Sequence, residues 1–327
     1  MRPPEHWHLR RRRARRPWWA LAAVALLVLG AVLVLRFRPG GEGGQPPVTL
    51  STGCTAGAEC AQGGGASYAG AVAPPRITGR AAAVIEAPCG APLYALDEHL
   101  RLAPASITKI ATALVAYERA GLSETVDVRV NSGLLHASTA STVMGLEPGM
   151  RMSLEDLLYG LLLVSGNDAA IAIADHVAGN TSAFVAMMNA LAQTLGLRDT
   201  RFANPHGLDE TGHYSSAHDM AVLGRALLAQ PDLAAIVATE HYQPAWDGPE
   251  VWNGNELLDR YPGTVGVKIG YTEKAGQTIV AAARRDGRTV IVSVLSAWDR
   301  YPDATALLDW AFANTPPACD EAASVSP

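Results

Sequence analysis

A serine and a lysine three residues apart, Ser106 and Lys109, form the pair in this sequence best suited to nucleophilic chemistry. A serine hydroxyl attacks poorly until a neighbouring base takes its proton. Lysine can be that base when burial or a second cation lowers its pKa towards neutrality. On a helix, residues three apart lie on one face with Cβ atoms about 5–6 Å apart, and a helix N-terminus offers N–H groups to an oxyanion. The pair therefore predicts covalent catalysis in the first turn of a helix.

The flanking residues predict that helix. Pro104 is tolerated before or at the first turn, residues 111–120 are mostly apolar helix formers, and Gly121 suits a left-handed C-cap. By itself, however, a Ser-x-x-Lys pair is more often a capping residue followed by a solvated lysine. The functional interpretation therefore depends on further polar residues that reach the same cleft.

Two later motifs supply such residues. Ser165 and Asn167 end an apolar helix that we predict to begin at Ser153, with Asp156 completing a capping box. Lys268 begins a stretch that leads into a predicted hairpin. Each motif also has a structural interpretation, because Gly and Asn are common at helix C-termini and an edge-strand lysine resists aggregation. The occurrence of all three motifs in this order favours a shared site.

The remaining pattern predicts a fold of the α+β type within the α/β class, with strands near both ends of the domain and helices between them. The predicted hairpin joins 277–285 to 288–297 through Asp286 and Gly287, a strong turn signal. We predict a loop without periodicity at 138–149 and one sheet built from distant parts of the chain. The other predicted strands are 81–86, 92–96 and 126–130, and the other helices are 168–178, 181–195, 216–229 and 302–313.

The N-terminal region predicts membrane attachment. Six arginines between residues 10 and 16 precede eighteen uncharged residues, which span about 27 Å as a helix and so just cross a bilayer core. We predict a cytoplasmic tail at 1–17, an uncleaved signal anchor at 18–36 and a Gly/Pro-rich linker at 37–75. The catalytic domain would occupy 76–314, outside the cytoplasm, and a loose tail 315–327. A cleaved signal peptide is the alternative, but no cleavage pattern directly follows the apolar run.

Charge and cysteines limit the functional classes. Residues 1–38 hold nine of the 26 basic side chains and one of the 31 acidic ones, so the remainder has a formal charge of −13. An acidic exported domain argues against a nucleic-acid partner. The cysteines have no zinc-like spacing and allow three disulfide pairings, of which Cys54–Cys60 with Cys89–Cys319 is our prediction.

Over residues 77–300 the sequence resembles the serine D-Ala-D-Ala carboxypeptidases, which are low-molecular-mass penicillin-binding proteins. The resemblance implies a β-lactamase-like antiparallel sheet covered by helices, with an all-helical subdomain. The chain ends soon after the last predicted helix, so we expect no additional C-terminal β domain of the kind that some relatives carry. The matching segments are Pro104–Lys109, Gly145–Gly149, Leu157–Ala170, Asn204–Leu208, His213–Ser216 and Val267–Thr272.

The resemblance also implies a role for each motif. Ser106 would form the acyl-enzyme, Lys109 would take its proton, and Ser165 would relay a proton to the leaving D-alanine. The expected substrates are peptidoglycan stem peptides, the expected inhibitors are β-lactams, and neither a metal nor an organic cofactor is needed. The remaining roles are substrate binding by Asn167, Lys268, Gly270 and Thr272, and an oxyanion hole from the backbone N–H groups of Ser106 and Tyr271.

One position departs from the family pattern, which usually reads Lys-Thr-Gly in the third motif. Ile269 replaces the threonine and cannot donate the hydrogen bond that a hydroxyl gives to the substrate carboxylate. Thr272 or Lys268 would have to compensate. His206 suggests a Ser-His pair, but lysine already fills the base role, so we predict that this histidine shapes a loop.

Two other functions compete with the carboxypeptidase. A class A β-lactamase deacylates through a glutamate, but no Glu stands four residues before an Asn between Asn167 and Lys268. A non-catalytic wall-binding protein would not require the retained polar residues, although Ile269 leaves it open. Release of D-alanine from a pentapeptide and formation of a penicillin adduct would separate the three.

Overall fold

The computed structural model describes residues 72–245 and 249–319. The predicted cytoplasmic tail, the signal anchor at 18–36, most of the linker, Cys54 and Cys60 lie outside the described residues, so those assignments stay predictions. Within the described ranges no single helix is long and apolar enough to cross a membrane, and one sharply bent pair of helices passes the same test only when its two members are taken together.

Antiparallel strands form a five-stranded sheet in the order β2-β1-β9-β8-β7, and two further sheets have two strands each. The first strand of the domain lies between its neighbour in sequence and the last strand, which confirms a sheet assembled from distant parts of the chain. The predicted hairpin is also confirmed, with Asp286 and Gly287 at φ 49° and 79° in its turn. The strands are β1 Ala81–Ala87, β2 Ala91–Leu96, β3 Thr125–Asp127, β4 Arg151–Ser153, β5 His241–Tyr242, β6 Val251–Trp252, β7 Thr264–Thr272, β8 Gly276–Arg285 and β9 Arg288–Ala297.

Helices cover both faces of the sheet. The described helices are α1 Lys109–Arg119, α2 Ser132–Thr139, α3 Leu154–Tyr159, α4 Asn167–Ala178, α5 Thr181–Thr194, α6 Ala217–Leu228, α7 Pro231–Ala238, α8 Leu257–Arg260 and α9 Arg300–Asn314. One hydrophobic cluster lies between the sheet and helices α1 and α3 to α7, with Phe184 and Leu223 fully buried in it. A second cluster packs the other face of the sheet against α9, through residues such as Val292 and Leu308.

Several local predictions were wrong at the ends of helices, where neighbouring residues set the boundary differently from the expectation. Helix α2 overlaps the beginning of the segment that we predicted to be a loop, and the Asn131 side chain caps it. Helix α7 begins at Pro231, where we expected only a helix end, because proline suits a first helical turn. Gly121 is not a left-handed cap, since Ala120 is extended at the end of α1 and the Gly121 N–H donates to Glu124.

Residues near both ends of the domain are held against it. The predicted disulfide between Cys89 and Cys319 is confirmed. The tail that we predicted to be loose from residue 315 is held as far as Cys319, because the Ala318 N–H also donates to Glu86. At the other end, the Trp310 indole donates to the carbonyl of Val72, so the last residues of the predicted linker contact α9.

Candidate active site

The nucleophile candidate lies in a strained turn before α1. Residues Ala105–Thr108 form a single 3₁₀ turn, so Ser106 is not in the first turn of a regular α-helix as predicted. Ala105 has φ 54°, a left-handed conformation that is uncommon for a residue with a side chain. Such strain persists only where surrounding contacts impose it, and it concentrates at functional sites.

Lys109 is fully buried directly behind the serine. Its Nζ donates to Ser106 Oγ at 2.9 Å, to Asn167 Oδ1 at 2.7 Å and to the His206 carbonyl at 2.7 Å. Burial first, and then the charge of Lys268, hold the pKa of Lys109 well below its usual value, while Asp168 acts in the opposite direction. A neutral amine has two protons and one lone pair. It can therefore keep both oxygen acceptors and still accept the Ser106 proton.

The second motif follows a distortion of its helix. After α3 the chain forms a π-helical turn, Gly160–Val164, and Ser165 then adopts a left-handed conformation with φ 71°. Helical distortions of this kind often occur at functional sites. The Ser165 side chain is half-buried and makes no hydrogen bond to Ser106 or Lys109 among the described contacts. Asn167, by contrast, is buried and bound to Lys109, and it begins α4 instead of capping the preceding helix.

The third motif lies on β7, an edge strand of the five-stranded sheet. Lys268 is only 2% exposed, so the interpretation of a solvated edge-strand lysine is wrong. Its Nζ donates to the Ile269 carbonyl, and no carboxylate pairs with it in the part of the chain that the structure describes. Burial and the nearby Arg300 lower the pKa of Lys268 to about 7. Among the described residues, therefore, no anionic side chain stabilises its charge.

Gly270 allows β7 to approach the nucleophile turn. A Cβ atom at this position would lie 2.7 Å from the Ser106 nitrogen and 2.6 Å from Thr278 Oγ1, closer than van der Waals contact allows. The Thr278 hydroxyl in turn donates to the Pro104 carbonyl. Strand and turn are therefore in direct contact, and the backbone N–H groups predicted for the oxyanion hole, those of Ser106 and Tyr271, belong to these touching segments.

Two residues of this strand differ from the expected arrangement. The Ile269 side chain packs against the second hydrophobic cluster and stands opposite Ile279 on β8. The Thr272 hydroxyl donates to Asp209 Oδ1 at 2.9 Å and accepts the Ala275 N–H. Its single proton is already used, so Thr272 would have to give up Asp209 in order to bind a carboxylate.

Arg300 is a site residue that the sequence did not reveal. Its guanidinium donates to the Gly270 carbonyl at 2.6 Å and to Gln277 Oε1 at 2.9 Å, and it is close enough to lower the pKa of Lys268. It lies 30 residues after Gly270 in the sequence, and no motif surrounds it. Only the register of β7, β8 and the beginning of α9 brings it to the third motif.

His206 acts through its backbone in this geometry. Its carbonyl accepts from Lys109, while burial, followed by the charge of Lys109, lowers the pKa of the imidazole to about 3. The loop approaches the nucleophile turn so closely that a Cβ atom at Gly207 would lie 2.0 Å from the Ala105 carbonyl oxygen. These contacts agree with the prediction that His206 shapes a loop.

The groups of the site can perform serine acyl transfer with a lysine as the base. A serine touches a buried lysine, a second buried lysine and an arginine lie nearby, and two N–H groups come from touching backbone segments. Within residues 72–245 and 249–319, no group of three or more His, Cys, Asp or Glu side chains could hold a metal ion. Fold and site therefore define a class of serine hydrolases on an antiparallel sheet.

Comparison with known proteins identifies the family. The model of the D-alanyl-D-alanine carboxypeptidase family matches residues 69–299, and the chain belongs to this family. It is 39% identical over 242 residues to the carboxypeptidase DacB2 of Mycobacterium tuberculosis, covering 70% of this chain and 80% of that protein. It is 37% identical over 242 residues to DacF of Bacillus subtilis, covering 72% of this chain but 62% of that longer relative.

Solved structures share the fold. A D-alanyl-D-alanine carboxypeptidase from Mycobacterium tuberculosis superposes with a TM-score of 0.70 at 37% identity, covering 76% of this chain and 96% of that one. A Streptomyces DD-transpeptidase gives a TM-score of 0.71 at 29% identity, covering 74% of this chain and all of that one. These neighbours confirm the DD-peptidase-like arrangement of an antiparallel sheet covered by helices.

Proposed function

We propose that this protein is a serine D-alanyl-D-alanine carboxypeptidase that removes the terminal D-alanine from peptidoglycan stem peptides. The observation that carries the proposal is the contact between Lys109 Nζ and Ser106 Oγ, with the other two donors of the lysine held by Asn167 and a backbone carbonyl. A buried lysine held in this way is a preorganised general base. Penicillins, which acylate such a serine, would be inhibitors.

Substrate binding uses charge and an open strand edge. The terminal carboxylate would lie near Lys268 and Arg300, two cations with no acidic partner among the described ion pairs. Its arrival would raise the pKa of Lys268 and stabilise the protonated form. An extended stem peptide can pair with the free edge of β7 by main-chain hydrogen bonds, and the Asn167 side chain would hold the substrate amide.

Acylation and deacylation each require a proton transfer, and Ser106, Lys109 and Ser165 provide the groups for it. Neutral Lys109 takes the Ser106 proton while the oxygen attacks the carbonyl between the two D-alanines, and the N–H groups of Ser106 and Tyr271 stabilise the oxyanion. The proton passes through Ser165 to the amine of the leaving D-alanine. Water then attacks the acyl-enzyme while Lys109 takes its proton. Lys109 passes this proton to Ser106 Oγ as the ester bond breaks, which releases the shortened peptide and restores both residues.

The test of the proposal is the product. Incubation of the full chain with a stem pentapeptide should release D-alanine and a tetrapeptide, and a labelled penicillin should block the release. Hydrolysis of the penicillin faster than release of D-alanine would favour the β-lactamase alternative. Binding of the peptide without any release or adduct would favour the wall-binding alternative.

We further propose that residues 18–36 anchor the protein in the membrane, with the catalytic domain on the outer side. The disulfide between Cys89 and Cys319 supports this location, because disulfides persist in oxidising compartments outside the cytoplasm. A chain without residues 1–38 should appear in the soluble fraction and still be acylated by penicillin, since the described domain begins well beyond the deletion. Failure of this truncated chain to fold would contradict the separation of anchor and domain.

The substitution of Ile269 by threonine should increase activity. The added hydroxyl would offer the substrate carboxylate a hydrogen bond, and such a bond to a charged group is worth about 1.5–3 kcal/mol, or roughly 10- to 150-fold in kcat/KM if fully formed. We expect an increase near the lower end, because the site already has Lys268 and Arg300 and because the apolar packing of Ile269 is lost. The measurement is kcat/KM for D-alanine release at matched pH.

Ile269→Val is the matched control, because valine has the shape of threonine without the hydroxyl. If the valine and threonine variants have equal activity, the carboxylate is anchored elsewhere. Thr272→Val should then be the damaging change, since it removes the only aliphatic hydroxyl between Lys268 and the end of β7.

A further inference from the structure

A buried carboxylate lies next to the second motif and has no role in the proton transfers described above. Asp168 is 0% exposed and follows Asn167 directly in α4. No basic side chain pairs with it among the ion pairs of the described residues. Its oxygens instead accept five hydrogen bonds of 2.5–3.1 Å from Ser132 Oγ and from the N–H groups of Met144, Gly145, Leu146 and Ala169.

Three of these donors belong to one segment, residues 141–146, which we call the bracing loop. A buried charge is costly unless hydrogen bonds satisfy it, and here successive N–H groups of the loop do so. The bracing loop therefore takes its conformation around the carboxylate. Substituting an amide would replace one acceptor oxygen by an N–H donor, which cannot bind these N–H groups.

The bracing loop is joined to the turn that carries Ser165 and Asn167. The Asn167 N–H donates to the Thr142 carbonyl at 2.9 Å. The side chain of Met144 occupies the space beside Gly160, where a Cβ atom would lie 2.1 Å from its sulfur. The loop thus contacts the π-helical segment and the turn at two points, so movement of one displaces the other.

We propose that Asp168 is a positioning residue: its carboxylate fixes the bracing loop against the Ser165–Asn167 turn and supplies the negative field that reaches Lys109. The inference rests on the proposed function of Lys109 as the base. The charged and titratable groups that influence this lysine come from three elements, namely Lys268 on β7, His206 in the loop before α6 and Asp168 on α4. Of these, Asp168 alone carries a negative charge.

The charge of Asp168 should shift the pH dependence of acylation, whereas a change in packing alone would not. Asp168 raises the pKa of Lys109 against the larger lowering by burial and Lys268. Acylation requires neutral Lys109, so its rate increases with pH as the lysine loses its proton. Removing the negative charge in Asp168→Asn should lower the pKa of Lys109 further and shift this acid side of the pH profile to lower pH.

Three variants separate the effect of geometry from the effect of charge on the rate of acylation by a labelled penicillin. Asp168→Asn should lose roughly 100-fold at the pH optimum, the scale of a displacement of about 1 Å at a catalytic group, and its profile should shift to lower pH. Asp168→Glu keeps the charge but displaces the loop, so it should lose rate without the shift. Ser132→Ala removes one of the five donors and should lose a few-fold, also without the shift.

Asp303→Asn is the matched control. Asp303 is another buried carboxylate, and it accepts three hydrogen bonds from Thr78 and Gly79 on the far side of the sheet. Its substitution should lower Tm while leaving the acylation rate within about twofold and the pH profile unchanged, because surface and core changes away from the site act through stability.

Amide hydrogen exchange of residues 144–146 tests the positioning step without any activity. Exchange should accelerate in Asp168→Asn, and to a lesser degree in Ser132→Ala. Unchanged exchange together with an unchanged pH profile in a folded Asp168→Asn protein would overturn the proposal. If that variant does not fold, wild-type acylation and exchange in both Asp168→Glu and Ser132→Ala would overturn it. A wild-type protein that penicillin never acylates would instead refute the proposed function, and hydrogen exchange would still decide the positioning role.

Discussion

Replacing Ser106 by alanine should abolish the penicillin adduct completely. In the wild-type protein, intact-mass measurement after incubation with a penicillin should show one added molecule, and peptide mapping should locate it at Ser106. Release of D-alanine should fall by about 10⁶-fold, the scale of loss when another serine peptidase loses its nucleophile. The physical reason is that Lys109 has no second hydroxyl among its described hydrogen-bond partners.

The fold should survive this substitution. The Ser106 side chain is half-buried, and its described side-chain hydrogen bond is the one with Lys109 Nζ, which keeps Asn167 and the His206 carbonyl as partners. A change in stability within about 1 kcal/mol is expected, so Tm should be nearly unchanged. Ser182→Ala, an exposed serine on α5, is the control and should be acylated normally. An adduct that persists in Ser106→Ala would refute the assignment, and its mapping to Ser165 would identify that serine as the nucleophile.

Replacing Lys109 by methionine should slow acylation by roughly 10²- to 10⁴-fold, the usual contribution of a general base. Methionine fills similar space without a lone pair on nitrogen or a titratable proton. The chain contains only three lysines, and the third, Lys274, is exposed in the turn between β7 and β8. Lys274→Met therefore controls for the loss of a lysine, and it should retain wild-type acylation.

The pH profile of kcat/KM makes this prediction sharper. In the wild type, activity increases with pH as Lys109 loses its proton, at a pH well below the ordinary lysine value because the pKa of Lys109 is lowered. Activity should decrease again as pH passes the pKa of Lys268, which is about 7 in the free protein, since the carboxylate then loses a cation. Lys109→Met should lose the increase and keep the decrease. Acylation within tenfold of wild type, with the increase intact, would mean that another group takes the proton.

Much of the site could be read from the sequence because its residues belong to short motifs. The spacing of Ser106 and Lys109 is local, and a single turn of any helical type brings their side chains together, so the 3₁₀ turn in place of an α-helical one did not matter to the prediction. The helix start capped by Ser153 and the Asp286-Gly287 hairpin were likewise confirmed, because hydrogen bonds between near neighbours determine both. The Asp156 carboxylate, however, accepts from the Ser153 hydroxyl and not from its backbone N–H, so the predicted capping box is formed only in part. In the same way, the composition of the unbroken runs in β8 and β9 predicts buried strands.

Tertiary structure decided what no local pattern contains. The burial of Lys268 and its lowered pKa depend on β7 lying against the nucleophile turn, and Arg300 reaches the site only through strand register. The left-handed conformations of Ala105 and Ser165 oppose local preference, and at Ala105 the distant Gly207 and Gly270 pack directly against the turn. Asp168 appears in the sequence as an ordinary acidic residue in the first turn of a helix. It becomes a buried brace only because a loop more than twenty residues earlier in the chain folds its N–H groups around it. Sequence alone thus determined which groups can do the chemistry, whereas packing determined their charge and strain, because burial and strain are properties of contacts between residues far apart in the chain.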